Sequence, residues 1–540
     1  MKRRDFILNS IYAGLAISVV PLYSCKDVKK GEAANNPTNL LADNFSLNEI
    51  TIHQLQRKMQ SGELSSKQIV ELYLERIKQI DKDNYNLNAV IEINPDALSI
   101  AETMDNERKA GNVRGLMHGI PILIKDNIDT ADKMMTTAGS LALVGNIATK
   151  DAFIVDLLRK SGAVILGKTN LSEFANFRST RSVSGWSSRG GQTKNPYVLD
   201  RNPCGSSSGS GAAVAANLCA VAIGTETDGS IICPSTTNGI VGIKPTVGLV
   251  SRSGIIPISF SQDTAGPMAR TVTDAAIVLG CLAGEDTTDD KTKNIATKAL
   301  TDYTQFLVKE GLTGKRIGIA KSALKISHEK INALMVTALE QIKSLGAEVI
   351  EYEDTAKNEL SNAEYEVLLY EFKDGLNNYL TQANAKVKSL AEIIAFNKAN
   401  EKTAMPYFQQ EILESSQAKG DLTSSDYIKS LKISQQGSRD FIDKLLKKYA
   451  LDAICGISNG PAWCTDLVNG DKYEGYGMVV PYALAGYPAI NVPLGSVEEL
   501  PVGLVFTGKA WDEPTLISIA YSYEQISQNR KSPKFKNSVG

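Results

Sequence analysis

Between Ser66 and Asp81, Ile69, Leu72, Tyr73, Arg76 and Ile77 fall at helical spacing, which predicts a helix. Just before it, Ser46-Leu47-Asn48-Glu49 has the form of a capping box and predicts an earlier helix start. Ala89 to Ile93 reads as a strand, and Asn94-Pro95-Asp96 opens another helix, because proline suits a first helical turn. From Gly115 the texture changes. Short apolar runs (Ile120 to Ile124, Ala163 to Leu166, Ala220 to Ile223) alternate with glycine- and serine-rich turns and helices. That alternation predicts an α/β fold, a sheet layered with helices. Residues from about 315 to 448 are more charged and read as a mostly helical cap, and strand-like segments return from Ala453 to about Phe506. No internal repeat or central linker interrupts this stretch, so residues 46–530 read as one domain followed by a tail, 531–540.

The first residues follow another pattern. Lys2, Arg3 and Arg4 precede an apolar stretch from about Ile11 to Leu22. A basic start before a short apolar run is an export signal, and paired arginines suggest the twin-arginine route. The run is short of the ~20 apolar residues that a membrane span needs. It ends in Leu22-Tyr23-Ser24-Cys25, similar to a bacterial lipobox, although Tyr23 departs from the usual small residue. The expectation is an exported bacterial protein, periplasmic or in the cell envelope, held to a membrane only through lipid on Cys25. An uncleaved N-terminal anchor is the alternative. Residues 26–45 are rich in Lys, Asn, Gly and Ala without periodicity and read as a tether.

Charge narrows the classes. The formal net charge is −2, and no basic run marks a phosphate-binding surface, so no nucleic-acid partner is expected. None of the seven cysteines has zinc-ligand spacing. Cys204, Cys219, Cys233 and Cys281 lie among small apolar residues, where a free cysteine acts as a small hydrophobe. Whether Cys455 and Cys464 pair in an oxidising compartment stays open.

Three apparent motifs fail on mechanism. Gly162 to Thr169 spells a P-loop, yet its middle residues Ala163-Val164-Ile165-Leu166 look like a strand rather than a phosphate cradle. Gly205-Ser206-Ser207-Ser208-Gly209 spells a nucleophile elbow, which needs a later histidine. Of three histidines only His328 follows it, in a charged helical stretch. Ser322-Ala323-Leu324-Lys325 lacks the Lys-Thr-Gly partner of penicillin-binding enzymes.

Three segments remain: Gly119 to Asn127, in which Lys125 follows an apolar run; the loop Pro203 to Ser210; and Gly224-Thr225-Glu226-Thr227-Asp228-Gly229-Ser230-Ile231. With Gly167 to Glu173, Asn195-Pro196, Val241 to Thr246 and Gly266 to Arg270, their order resembles the amidase signature family. The resemblance implies a mixed, twisted sheet sandwiched between helical layers. It also implies that Ser230 is the acylated nucleophile, that Ser206 bridges after a cis bond from Gly205, and that Lys125 accepts the proton through Ser206. The backbone amides of Thr227, Asp228, Gly229 and Ser230 match the family's oxyanion loop. No metal or organic cofactor is implied.

The residue types suit that chemistry. A serine hydroxyl needs a base, and histidine is scarce here. Burial lowers a lysine's pKa, and bringing it to ~7 costs roughly 4.6 kcal/mol. The run Ile120 to Ile124 supplies the desolvation. Cys204 and Ser208 stand where the commonest family pattern has glycines, Asp228 replaces a third glycine, and Ile232 replaces an arginine. These departures, with Trp186 to Gln192 and Ile256 to Asp263, resemble the peptide amidase branch, which removes ammonia from C-terminally amidated peptides. Asn170 and Gln192 are the candidate substrate-binding residues. The alternatives are an amidase for fatty-acid or small aliphatic amides, a protein similar to the A subunit of glutamyl-tRNA amidotransferase, and a non-catalytic peptide-binding surface protein.

Overall fold

The computed structural model describes residues 44–539 apart from 294, 296, 354–357 and 473–479. The expected export signal, Cys25 and nearly all of the tether lie outside the described residues.

The chain builds its sheet from β1 (Val90–Ile93), β2 (Pro121–Lys125) and β3 (Val164–Thr169), then β6 (Val221–Glu226), β7 (Val241–Lys244) and β8 (Thr264–Ala269). A small hairpin between them, β4 (Trp186–Ser187) with β5 (Gly191–Gln192), stands outside that sheet. β9 (Arg316–Ala320), β10 (Glu348–Tyr352), β11 (Ala453–Ile457), β12 (Ala489–Val497) and β13 (Leu500–Thr507) complete it. The strand order is β1-β3-β2-β6-β8-β7-β12-β13-β11-β9-β10, with parallel and antiparallel pairs.

β2 runs parallel to both its neighbours, pairing Ile122 with Ile165 on one side and with Val221 on the other. Every residue of β2, β3 and β6 is buried, which explains their unbroken apolar runs. Helices flank the sheet: Ser208–Ala215 packs on β2, β3 and β6, Val272–Leu282 on β7 and β8, and Glu513–Ser527 on β12 and β13. The C-terminal ends of three parallel strands therefore share one sheet edge, carrying Lys125, Thr169 and Glu226. Open α/β sheets bind ligands beyond that edge. The P-loop lookalike is indeed strand, and buried Lys168 donates to Thr136 Oγ1 at 3.1 Å inside the fold.

Several expectations change. The capping box of the first helix is Thr51 with Gln54, and the helix is Ile52–Ser61. Glu49 cannot cap at Ser46, because it has a left-handed φ of 55° and its carboxylate binds Arg530 at 2.7 Å. The next helix keeps its predicted start (Ser66–Arg76) but widens into a π-helical turn over Ile77–Asn84. Within the charged stretch read as a helical cap, β9 and β10 extend the sheet. β10 is an edge strand, so its exposed glutamates hide the strand signal. The tail is docked: Phe535 is buried and stacks on Tyr85, and Leu199 N–H donates to Lys536 O at 2.7 Å.

The helix that begins at Ser208 lies close against neighbouring backbone. A Cβ at Gly209 would overlap the carbonyl oxygen of Ala89 and sit 2.5 Å from that of Asn170. Gly209→Ala is therefore expected to destabilise by about 1–3 kcal/mol through overpacking. A lowered denaturant midpoint measures this, and an unchanged midpoint counts against the close approach.

Candidate active site

Lys125 ends β2, and its side chain is fully buried. Its Nζ lies 2.7 Å from Ser206 Oγ, 3.0 Å from Ser207 Oγ, 2.8 Å from Thr225 Oγ1 and 3.2 Å from Thr225 O. All four contacts are neutral oxygens. Adjacent Asp126 does not serve as its ion partner. Strand alternation turns that carboxylate away, to Arg189 at 3.3 Å, the Thr137 hydroxyl and Gly139 N–H at 3.1 Å. Burial pushes the Lys125 ammonium down to about 7, outweighing the opposing pull of Asp263 and Glu226.

The protons on these hydroxyls can be followed. Ser207 Oγ donates to Thr225 O at 3.0 Å and accepts Thr225 N–H at 3.2 Å. Toward Lys125 it therefore acts as an acceptor. Thr225 Oγ1 also accepts from Asn127 Nδ2 at 3.1 Å. A neutral lysine has two N–H donors and one lone pair. Its donors suit Ser207 and Thr225, which leaves the lone pair for the Ser206 hydroxyl.

Ser206 sits in the loop before the helix Ser208–Ala215, and the Gly205–Ser206 peptide bond is cis, as the resemblance implied. Ser230 follows β6 in the turn before the helix Ile232–Thr237. Ser207 N–H donates to Ser230 O at 3.2 Å, so the two serine loops touch. Gly229 makes the turn with φ of 77°, a left-handed conformation that suits glycine. Glu226 fixes the turn by accepting Ile231 N–H at 2.7 Å and Ile232 N–H at 3.0 Å. Asp263 holds Thr227 Oγ1 at 2.5 Å, and burial raises its carboxyl to about 6. Burial, with Glu364 and Glu226 nearby, holds the Asp228 carboxyl well above its ordinary range.

A cavity of about 1490 Å³ opens beside this group, and Asn127, Thr225, Thr227 and Asp263 belong to both. Neither Asn170 nor Gln192 lines it. Asn170 is buried, with Oδ1 taken by Ser187 at 2.7 Å and Nδ2 donating to Thr193 Oγ1 at 3.0 Å. Gln192 Nε2 donates to Ser184 O at 2.9 Å and Thr193 O at 2.8 Å. The Asn170 amide is engaged at both its oxygen and its nitrogen, and Gln192 Nε2 is engaged by backbone carbonyls, so neither side chain is placed at this cavity. His118 is buried before the start of β2, the end away from Lys125, and its Nε2 lies 2.9 Å from Met104 O.

Cys204 and Cys233 form a disulfide, with Cα atoms 6.0 Å apart, which corrects the reading of both as free thiols. Cys455 is buried and Cys464 exposed, and both are unpaired. Sequence reasoning does not single out Thr225, Ser207, Asn127 or Asp263. Thr225 is within its reach, because it is a polar residue near the C-terminal end of a buried parallel strand, where open α/β sheets place their sites.

Lys125 thus ends one strand, Ser206 lies beside it, and Ser230 stands on the turn that touches the Ser206 loop, all at one edge of a mixed sheet layered with helices. The Amidase family profile matches residues 68–517, and the chain belongs to that family. It is 43% identical over 502 residues to a probable amidase of Arabidopsis thaliana, covering 92% of this chain and 93% of that protein. It is 35% identical over 513 residues to the A subunit of the glutamyl-tRNA(Gln) amidotransferase of Caldanaerobacter subterraneus, covering 91% and 99% respectively. The fold matches the native peptide amidase from Stenotrophomonas maltophilia with a TM-score of 0.86 and 48% identity, over 91% of this chain and 99% of that one. The protein is thus an amidase, a hydrolase of carbon–nitrogen bonds in linear amides.

Proposed function

We propose that this amidase hydrolyses the C-terminal carboxamide of peptides through Ser230, Ser206 and Lys125. The observation that carries the mechanism is the 2.7 Å contact between Ser206 Oγ and a lysine whose other partners are also neutral oxygens. Ser230 Oγ attacks the carbonyl carbon. Its proton passes to Ser206 Oγ while the Ser206 proton passes to Lys125 Nζ. The C–N bond then breaks, and the proton returns through Ser206 to the departing nitrogen, which leaves as ammonia. Water attacks the Ser230 ester, releasing the acid and restoring the serine. Backbone amides between Thr227 and Ser230 receive the developing oxyanion.

The substrate class rests on similarity to the Stenotrophomonas peptide amidase and on the cavity. A volume of about 1490 Å³ exceeds the ~300–1000 Å³ of small-molecule pockets and suits an extended chain. The basic and apolar start ending in Cys25 supports export and lipid attachment. The Cys204–Cys233 disulfide supports an oxidising compartment, since such bonds are rare in the cytosol. Export in turn argues against the tRNA-dependent role of the amidotransferase.

The test is ammonia release by a form beginning after Cys25, offered a C-terminally amidated dipeptide, a fatty-acid amide, a small aliphatic amide and glutamine. Release chiefly from the dipeptide amide is expected. Release from another amide alone refutes the substrate while keeping the mechanism.

A further inference from the structure

The Cys204–Cys233 disulfide takes no part in the proton relay, yet it joins the two loops that carry it. Cys204 lies two residues before Ser206, and Cys233 lies three after Ser230. We infer that the disulfide is a positioning element for catalysis, holding the Ser206 loop against the Ser230 turn so that turnover depends on its being oxidised. This rests on the Ser230–Ser206–Lys125 reading above.

The relay demands registration between separate parts of the chain. Ser206 must face Lys125 on β2 and, across the loop contact, Ser230 after β6. Misplacement of a reacting group by ~1 Å costs up to about a hundredfold in rate. Hydrogen bonds tie the loops on either side of the disulfide. Thr237 Oγ1 and Asn238 Nδ2 donate to Pro203 O at 2.6 and 2.9 Å, and Ser207 N–H reaches Ser230 O at 3.2 Å. The disulfide is the covalent tie between these points. At its other end, Cys233 N–H donates to Gly229 O at 2.7 Å, so the bridge grips the nucleophile's own turn. Cys204 also has a left-handed φ of 56°, a conformation that disfavours a side chain and suits glycine. Cysteine here forgoes that ease and gains the bridge. Cys204 is buried and Cys233 is partly exposed. A dithiol such as dithiothreitol would transfer two electrons and two protons, leaving two thiols and a cyclic disulfide.

The experiment measures kcat and KM, on whichever amide the wild type cleaves, for oxidised enzyme, dithiothreitol-treated enzyme and Cys204→Ala/Cys233→Ala, with Ser230→Ala in parallel. Reduced enzyme and the double variant are expected to lose roughly tenfold or more in kcat with KM within about twofold. Oxidised glutathione should restore the wild type, and the double variant should ignore both reagents. As the loops part and water reaches Lys125, the acidic limb of the rate profile should move to higher pH. A bridge that only stabilises would lower Tm while leaving kcat and that limb unchanged, and this result overturns the inference. If the double variant does not fold, the folded, reduced wild type decides, with its fold checked by circular dichroism. Full kcat after reduction, with Ser230→Ala inactive, removes the positioning role alone. An active Ser230→Ala removes the catalytic reading beneath it.

Discussion

Ser230→Ala is expected to lower kcat by about 10⁴-fold or more while leaving the fold intact. Ser230 follows β6 in a turn fixed by Glu226 and Gly229, and its loop touches that of Ser206. In the proposed mechanism, removing its hydroxyl removes the atom that becomes the acyl ester. Ser206 is not expected to substitute, because its hydroxyl is engaged by Lys125. Residual activity should be confined to what loop amides and binding supply. Ammonia release measures the loss, and circular dichroism confirms the fold. A variant within tenfold of the wild type would place the nucleophile elsewhere.

The second large effect belongs to Lys125. Lys125→Met keeps much of the side chain's bulk and removes the proposed base, so kcat should fall by about 10³-fold or more. Lys125→Arg should fare no better, because a guanidinium stays protonated and has no lone pair for Ser206. In the wild type the direction with pH follows from burial. Lys125 is pushed down to about 7, and only its neutral form accepts a proton. kcat/KM should therefore hold above that pH and fall as pH drops through it, approaching tenfold per unit below. An amide-hydrolysis profile flat from about pH 5 to pH 8 would contradict a lysine base.

The parts of this account legible in the sequence share a physical cause. Strands buried on both faces, such as β2, β3 and β6, must be wholly apolar, so they stand out as runs. Lys125, Ser206 and Ser230 are readable because each lies in a distinctive local pattern. Edge strand β10 is not, since its exposed Glu348 and Glu351, three residues apart, fall on opposite faces and read as helical spacing rather than strand alternation. Glu49 reads as a cap because its pairing with Arg530, 481 residues away, is invisible locally. The Cys204–Cys233 bridge is hidden for the same reason: approach of two Cα atoms to 6.0 Å is a property of the fold, not of spacing. Thr225 and Ser207 gain their roles from how β6 and the serine loop face β2. Asn170 and Gln192 lie in segments that resemble the family, but the hydrogen bonds of the Asn170 amide and of Gln192 Nε2 to loop backbone and loop hydroxyls are not visible in local sequence.

The most direct test of the central claim is reaction of the folded enzyme with a serine-reactive phosphonate, followed by peptide mass spectrometry. The account predicts one adduct per chain, on Ser230, lost in Ser230→Ala and slowed in Lys125→Met. An adduct on Ser206 or another serine, or none on an enzyme that hydrolyses amides, would contradict it.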